Sequence, residues 1–371
     1  MYVVERISDK RRLRELSQDW EQLEHRCVFQ RREWLWNWWD AYENRKDLFV
    51  LRVHDLQGRT VGILPCFRES SMTAAREIHF LGSGKACTEF QTLLGTSCEA
   101  TAVAVASWLV ERCDDPNDGW DLLEFDAVPR GDEFLNRLAT TLETRGVKVW
   151  SRLSQPTWEN ELPSSWEAWL TGLEKKVRQR IRRLYRRYVE TGRAELVIAG
   201  ELVSFDDMFD SLVDLHQRRW QSVGVEGCFS SPEFTQFFRA AAKDLYDAGC
   251  TWMTALRIDG QIAAVAIFLR HERTLCMYQC GMDPAHHEFQ PGWLLNSLNI
   301  REMIRQEFKV CDYLRGDEPY KKKLGAIPVE QTTWHFAAPR AVARMRHNLL
   351  TTQGWMRDWG RNVLGSLREQ R

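Results

Sequence analysis

The 371-residue sequence has little of what most sharply restricts a protein's class. No apolar run is long enough to span a bilayer. The opening stretch, Met1-Tyr2-Val3-Val4-Glu5-Arg6, lacks the pattern of a secretory signal. The ten cysteines are scattered without a CxxC pair. Cys276 and Cys280 fall on one side of an expected strand, but no histidine stands at a ligand spacing from them. These absences argue against a disulfide framework and against a metal site. Neither charge sign is in excess: 51 basic and 52 acidic residues give a net charge of -1, which argues against a chain that coats DNA. A soluble protein of a reducing, cytoplasmic compartment is the expectation.

What is present supports an ordinary folded chain. Hydrophobic residues make up 44%, enough for real cores, and the length predicts two lobes. Tryptophan is abundant at 17, and Trp34, Trp36, Trp38 and Trp39 crowd one early stretch. Residues 1–160 read as a first α/β lobe. Helical patterns cover 13–23 and 34–42, and strands at 49–53 and 61–67 flank an Asp55–Gly58 turn. After a short strand at 78–81, Gly82-Ser83-Gly84-Lys85 lacks the upstream Gly and the following Ser/Thr of a phosphate loop, so it reads as a plain loop.

Residues 161–193 form an expected connecting helix with Leu173, Val177, Ile181, Leu184 and Tyr188 on one stripe. Its other faces carry eight lysines and arginines between Lys175 and Arg187. This run fits a solvated linker or a platform for a phosphate-bearing substrate. Residues 194–337 repeat the α/β plan: helices at 205–220 and 232–248, then a hairpin around Asp259-Gly260. A strand at 274–282, a loop holding His286 and His287, and a helix at 292–308 follow. The shared element order suggests a divergent duplication. Residues 338–371 form a basic, helix-periodic tail that either docks on the body or makes peripheral contact with an anionic membrane.

Chemistry concentrates near the end of the second lobe, in Tyr313-Leu314-Arg315-Gly316-Asp317-Glu318-Pro319-Tyr320-Lys321-Lys322-Lys323. An apolar run ends at Gly316, and Asp317 or Gly316 can cap a helix that begins with Glu318 and Pro319. A polar cluster where a strand exits into a helix is a common place for chemistry in α/β proteins. It is also what a solvated helix start looks like.

Ile258-Asp259-Gly260, Gly281-Met282-Asp283-Pro284, Gln290-Pro291-Gly292-Trp293-Leu294-Leu295 and Leu314-Arg315-Gly316-Asp317-Glu318-Pro319-Tyr320-Lys321, together with Trp220, resemble the GNAT acyltransferase superfamily. Within it they are most similar to the CelD-like and FemAB-like branch, which carries two GNAT lobes in one chain. The resemblance implies an α/β (α+β) fold of tandem lobes, each a mixed sheet flanked by helices, joined by the long basic helix. It implies a sheet that splays after the third strand of the second lobe, with the pantetheine arm of acyl-CoA in the cleft as an added strand. The pyrophosphate would meet the helix start at Gln290, Pro291, Gly292 and Trp293. The family's glycine-rich signature is here reduced to Gly292. FemAB-type enzymes show a similar reduction and take their acyl group from aminoacyl-tRNA.

The expected activity is N-acyl transfer, with acyl-CoA (acetyl-CoA foremost) as co-substrate and no metal. The acceptor is an amine- or hydroxyl-bearing small molecule or glycan precursor. The catalytic candidates are Asp317, Glu318, Tyr320 and Lys321, offering base, proton donor and fixed positive charge. Trp220 and Arg315 are candidates for binding substrate. Such transfer needs no covalent enzyme intermediate, so a missing nucleophile motif is consistent with it. The alternatives are an aminoacyl-tRNA-dependent ligase and a non-catalytic partner of an exopolysaccharide or cellulose synthesis complex.

Overall fold

Near-continuous apolar runs at Thr251–Ile258 and Gln261–His271, buried on both faces, form the centre of a seven-stranded mixed sheet. Its spatial order is Ala194–Ile198, Thr251–Ile258, Gln261–His271, Thr274–Met282, Val310–Asp312, Thr157–Glu161 and Ile327–Val329. The turn residues Asp259 and Gly260 sit at φ 49° and 83°, the left-handed pair that a tight hairpin requires. The computed structural model describes residues 2–70, 75–96, 98–340 and 343. The expected helical tail at 338–371 therefore lies outside the described residues, apart from Ala338, Pro339, Arg340 and Ala343. Among the described residues no helix is long and apolar enough to cross a membrane.

The first lobe carries two sheets. Four antiparallel strands run in the order Val3–Ile7, Val50–His54, Thr60–Leu64 and Leu94–Gly95. Six more follow the order Lys46–Leu48, Cys66–Ser70, Arg76–Phe80, Leu122–Pro129, Gln331–Ala337 and Lys148–Leu153. Pro65 separates Thr60–Leu64 from Cys66–Ser70, and the chain changes sheets there.

The two lobes exchange strands. Thr157–Glu161, which precedes the connecting segment, inserts between Val310–Asp312 and Ile327–Val329. In return Gln331–Ala337, after the second lobe's last helix, inserts between Leu122–Pro129 and Lys148–Leu153. Each lobe's sheet is completed by the other's segment of chain, so the sheets do not follow chain order at residues 160 and 337.

The continuous helix expected over 166–193 is broken. Trp166–Gly172 ends at Leu173, whose backbone is extended (ψ 153°), and Lys175–Leu184 starts afresh before a π-helical turn, Tyr185–Val189. Gly172 weakens the helix there, and the break lets Leu173 enter the core. Arg178 donates to the carbonyls of Thr171 and Leu173, 3.0 and 3.1 Å away, satisfying acceptors that the break would orphan. One arginine of the basic run is thus a structural cap.

The tryptophan-rich helix, Arg32–Tyr42, buries Trp34, Trp36, Trp38 and Trp39. It packs against Pro232–Asp247 of the second lobe. Trp34 meets Phe237 edge-on at 4.9 Å and Tyr278 at 5.0 Å, and its indole N–H donates to Thr88 Oγ1 at 2.9 Å. One apolar core therefore spans both lobes.

Shared strands and a shared core predict one cooperative thermal transition. Phe336, fully buried on the strand lent to the first lobe, tests it. Phe336→Ala should cost about 3–5 kcal/mol and lower that single transition as a whole. Calorimetry showing only a first-lobe transition moving, with a separate second-lobe transition unchanged, would contradict the shared fold.

Candidate active site

Thr274–Met282 pairs with Val310–Asp312 only through Thr274, Cys276 and the residue between them. Beyond Cys276 that edge pairs with no strand among the described residues. The chain after Asp312 turns away: Asp312 Oδ1 accepts from the Leu314 N–H at 2.7 Å, and Leu314 takes a left-handed φ of 55°. The two strands part, and a cavity of about 970 Å³ opens between them and the first lobe. Its walls hold Met277, Tyr278, Cys280 and Met282 from the free edge, and Tyr313, Leu314 and Tyr320 opposite. Lys85, Cys87 and Glu89 of the first lobe complete it.

A register shift near Tyr278 inserts one extra residue in the free-edge strand. This reverses the alternation of faces. Cys280 lines the main cavity while Cys276 lines a separate one of about 530 Å³, so the expectation that they share a side does not hold.

At the far end of the edge, helix Pro291–Arg305 starts from Gln290, itself left-handed at φ 52°. Gln290, Pro291, Gly292 and Trp293 all line the cavity. Pro291 has no N–H and Trp293 donates to Gln290 O, so the first turn offers chiefly the Gly292 amide to a ligand. A Cβ on Gly292 would lie 3.0 Å from Met282 Cε, so glycine is what keeps this approach open. Arg180 stacks on Trp293 at 4.9 Å and lines both this cavity and a basic groove of about 920 Å³ with Lys176, Arg182, Arg183 and Arg186. Cavity mouth and basic run are therefore continuous.

The strand-exit cluster closes the other end. Lys321 is only 2% exposed, and its ammonium donates to the carbonyls of Leu314, Arg315 and Gly316 at 3.2, 2.8 and 3.1 Å. It also pairs with Glu318 at 2.9 Å. Lys321 thus ties the loop together from inside. Tyr320 packs edge-on to Tyr313, and burial holds its phenol above the ordinary range, so it keeps its proton. Glu318, Tyr320 and Lys321 line the cavity; Asp317 is exposed and outside its wall. The helix cap position belongs to Glu318 rather than to Asp317 or Gly316. His287 lies in the wall, while His286 sits 3.5 Å from Asp283.

Arg315 reaches across the lobes. Its guanidinium grips both oxygens of buried Glu89, with Nη2 to Oε2 at 3.0 Å, and Nη1 lies 3.4 Å from Asp126. Asp126 in turn accepts from Thr333 on the exchanged strand at 2.6 Å. Burial pushes the Glu89 carboxyl up against the opposing pull of Arg315. The Tyr278 hydroxyl donates to Ala86 O at 2.6 Å, a second tie from cavity wall to first lobe. The sequence gives no periodic signal for Glu89, Cys87 or Lys85; the first lobe's loop brings them in.

The structure also brings together a cysteine and a histidine that the sequence separates. Cys228 Sγ lies 3.6 Å from His216 Nε2. A nucleophilic dyad needs an acidic thiol and a basic imidazole. Here burial raises the thiol to about 12 and lowers the imidazole to about 4. His216 Nε2 already accepts the Trp220 indole N–H at 2.9 Å. The pair is arranged against covalent catalysis.

Residues 175–322 match the family model of the acetyltransferase (GNAT) domain. No curated protein matches the sequence. Among solved structures the chain is similar to that of FemX, with a TM-score of 0.63 at 9% identity, covering 92% of this chain and 99% of that one. It is similar to L-PGS from Bacillus licheniformis, with a TM-score of 0.52 at 12% identity over 91% and 96%. The C-terminal domain of a putative lysylphosphatidylglycerol synthetase from Agrobacterium fabrum gives 0.51 at 11% identity over 91% and 94%. The second lobe thus carries the expected GNAT domain, and the fold of the whole chain is like that of FemX, as the FemAB-like resemblance implied.

Glu89→Ala leaves Arg315 facing Asp126 alone. Because Arg315 keeps about a quarter of its side chain exposed, the loss should sit near the lower end of the 3–5 kcal/mol typical of a broken buried pair, about 3 kcal/mol. Glu89→Ala with Arg315→Met should recover part of it in denaturant titrations. Equal destabilisation of single and double variants would show that the bridge carries no coupling.

Proposed function

We propose that this chain, an acyltransferase with a GNAT domain and a tandem FemAB-like fold, performs N-acyl transfer in the cavity between its lobes. The donor is an acyl-CoA, acetyl-CoA in the simplest case. The acceptor is an amine- or hydroxyl-bearing glycan or cell-envelope precursor such as a sugar nucleotide. What supports this best is the free edge of Thr274–Met282, which joins the Glu318–Lys321 cluster to a helix start within one cavity.

The chemistry follows from that layout. An extended pantetheine arm bonds to the free edge as an added strand. Its phosphates meet the Gly292 amide, the positive helix end and Arg180. The acyl carbonyl then lies toward Tyr320 and Lys321. The acceptor nitrogen attacks it, forming the C–N bond; the oxyanion collapses, the C–S bond breaks, and the proton lost by nitrogen ends on the CoA sulfur. Tyr320 is the hydrogen-bond donor for this sequence, Glu318 orients the acceptor, and Lys321 supplies positive charge while fixing the loop. Trp220 and Arg315 shape the acceptor side, Arg315 from within its bridge to Glu89.

A second reading is favoured by one feature. A single first-turn amide is a thin cradle for a pyrophosphate, whereas the groove reached through Arg180 is broad and basic. An aminoacyl-tRNA donor would use that groove, with binding that falls steeply as salt rises.

Acetyl-CoA, longer acyl-CoAs and aminoacyl-tRNA, each supplied with amino-sugar nucleotides, separate these readings by mass spectrometry of the acylated product. In the working donor, Lys321→Met should lower kcat by roughly 100- to 1000-fold, well beyond any unfolded fraction read from melting curves. Tyr320→Phe should cost less. Gly292→Val pushes Met282 into the donor's path and should raise the donor KM by about tenfold with kcat nearly kept. Near-wild-type kcat in a folded Lys321→Met protein would remove the cluster from the reaction.

A further inference from the structure

Trp220 stands out among the described residues as a large aromatic side chain with 37% exposure, set at the cavity wall. A single exposed ring is unremarkable by itself. What distinguishes this one is how firmly it is held. Its N–H, the only polar group an indole has, is spent on His216 Nε2 at 2.9 Å. His216 is 3% exposed, and accepting at Nε2 requires its proton on Nδ1, which faces Gln217 Oε1 at 3.2 Å. Phe229 packs edge-on against the imidazole at 4.9 Å. Gly227 leaves no slack: a Cβ there would lie 2.2 Å from Gln217 Oε1 and 2.8 Å from His216 Cε1.

A pinned indole with no free donor offers a ligand only its π face. That face binds planar rings through stacking, largely without regard to their hydrogen-bonding edges. Positive charge lies over and around the ring. The Arg219 guanidinium is 5.7 Å from the ring centroid, and Lys85 and Arg180 share the same cavity. A planar ring joined to a polyanion is the chemistry of a nucleotide.

We infer that Trp220, held by His216, is a stacking platform for the base of a nucleoside diphosphate, with Arg219 placed to meet its phosphates. The inference rests on the cavity being the transfer site and names what one of its two substrates carries. Two sources share this chemistry: the nucleotide half of a sugar-nucleotide acceptor, in line with Trp220 on the acceptor side, and the ADP portion of an acyl-CoA donor, which would carry the donor's phosphates to Arg219 rather than to Gly292 and Arg180.

Titration calorimetry with ADP and with UDP tests it without turnover. One of the two should bind the wild-type protein, and Trp220→Leu should weaken that binding by about 10- to 100-fold, with Trp220→Phe intermediate. His216→Gln keeps an acceptor for the indole N–H and should retain binding, whereas His216→Leu should lose it at a comparable melting temperature. If ADP is the ligand, Trp220→Leu raises the KM of acyl-CoA but not of acyl-pantetheine; if UDP, it raises only the acceptor KM. Failure of both diphosphates to bind the wild type would overturn the inference, as would unchanged binding in a folded Trp220→Leu protein. Trp220-dependent binding in a protein that transfers no acyl group would instead sink the transfer reading alone.

Discussion

The contact on which the architecture turns is the buried meeting of Trp34 with Tyr278 and Phe237. Trp34 belongs to the first lobe, while Tyr278 sits at the irregularity in the free-edge strand of the second. Its hydroxyl is tied back to Ala86. The strand that walls the cavity is therefore positioned from both sides. Burying such rings contributes more than any single polar contact here, since each aromatic side chain removes on the order of 150–250 Å² from water. The exchanged strands enforce the same constraint through backbone pairing, because neither sheet is complete without the other lobe's segment.

Within that frame, charge is used to hold rather than to react. Lys321 spends its protons on three loop carbonyls and its charge on Glu318. Arg315 is committed to Glu89, and His216 is kept neutral by burial with its free lone pair given to Trp220. The thiols of Cys87, Cys228 and Cys280 line the cavity, and burial pushes those of Cys228 and Cys280 up. Such a site favours direct transfer between two bound substrates over a route through an enzyme nucleophile. Its donors are fixed before substrate arrives, which is where electrostatic stabilisation of a developing oxyanion is most effective.

Much of the second lobe was legible in the sequence because its signals are local. Asp259-Gly260 demanded a hairpin and Pro291 a helix start, and each is found there; the strand expected to stop at Gly316 ends already at Asp312. The cluster from Arg315 to Lys321 was legible as a polar strand exit, and the structure sets most of it in a cavity wall; the inward turn of Lys321 was not legible, since spacing cannot say whether an ammonium faces solvent or three carbonyls. The strand exchange was hidden: Thr157–Glu161 is short and mostly polar, and only its tertiary partners make Asn160 a buried donor to Leu324 O. The broken linker was hidden too. Its apolar stripe runs through Leu173 unbroken in sequence, and what stops the helix is the core's demand for that side chain. Glu89 and His216 gave no sequence signal at all; one needs Arg315 from 226 residues away and the other a tryptophan one helical turn on.

The central claim is that donor chemistry takes place along the free edge of Thr274–Met282, between the lobes. A crystal structure with a non-reactive acyl-CoA analogue tests this most directly. The account predicts the pantetheine arm bonded to the backbone between Met277 and Met282, its phosphates toward Gly292 and Arg180, and the acyl carbonyl within hydrogen-bond reach of Tyr320. An analogue bound elsewhere, with this edge left open, would contradict it.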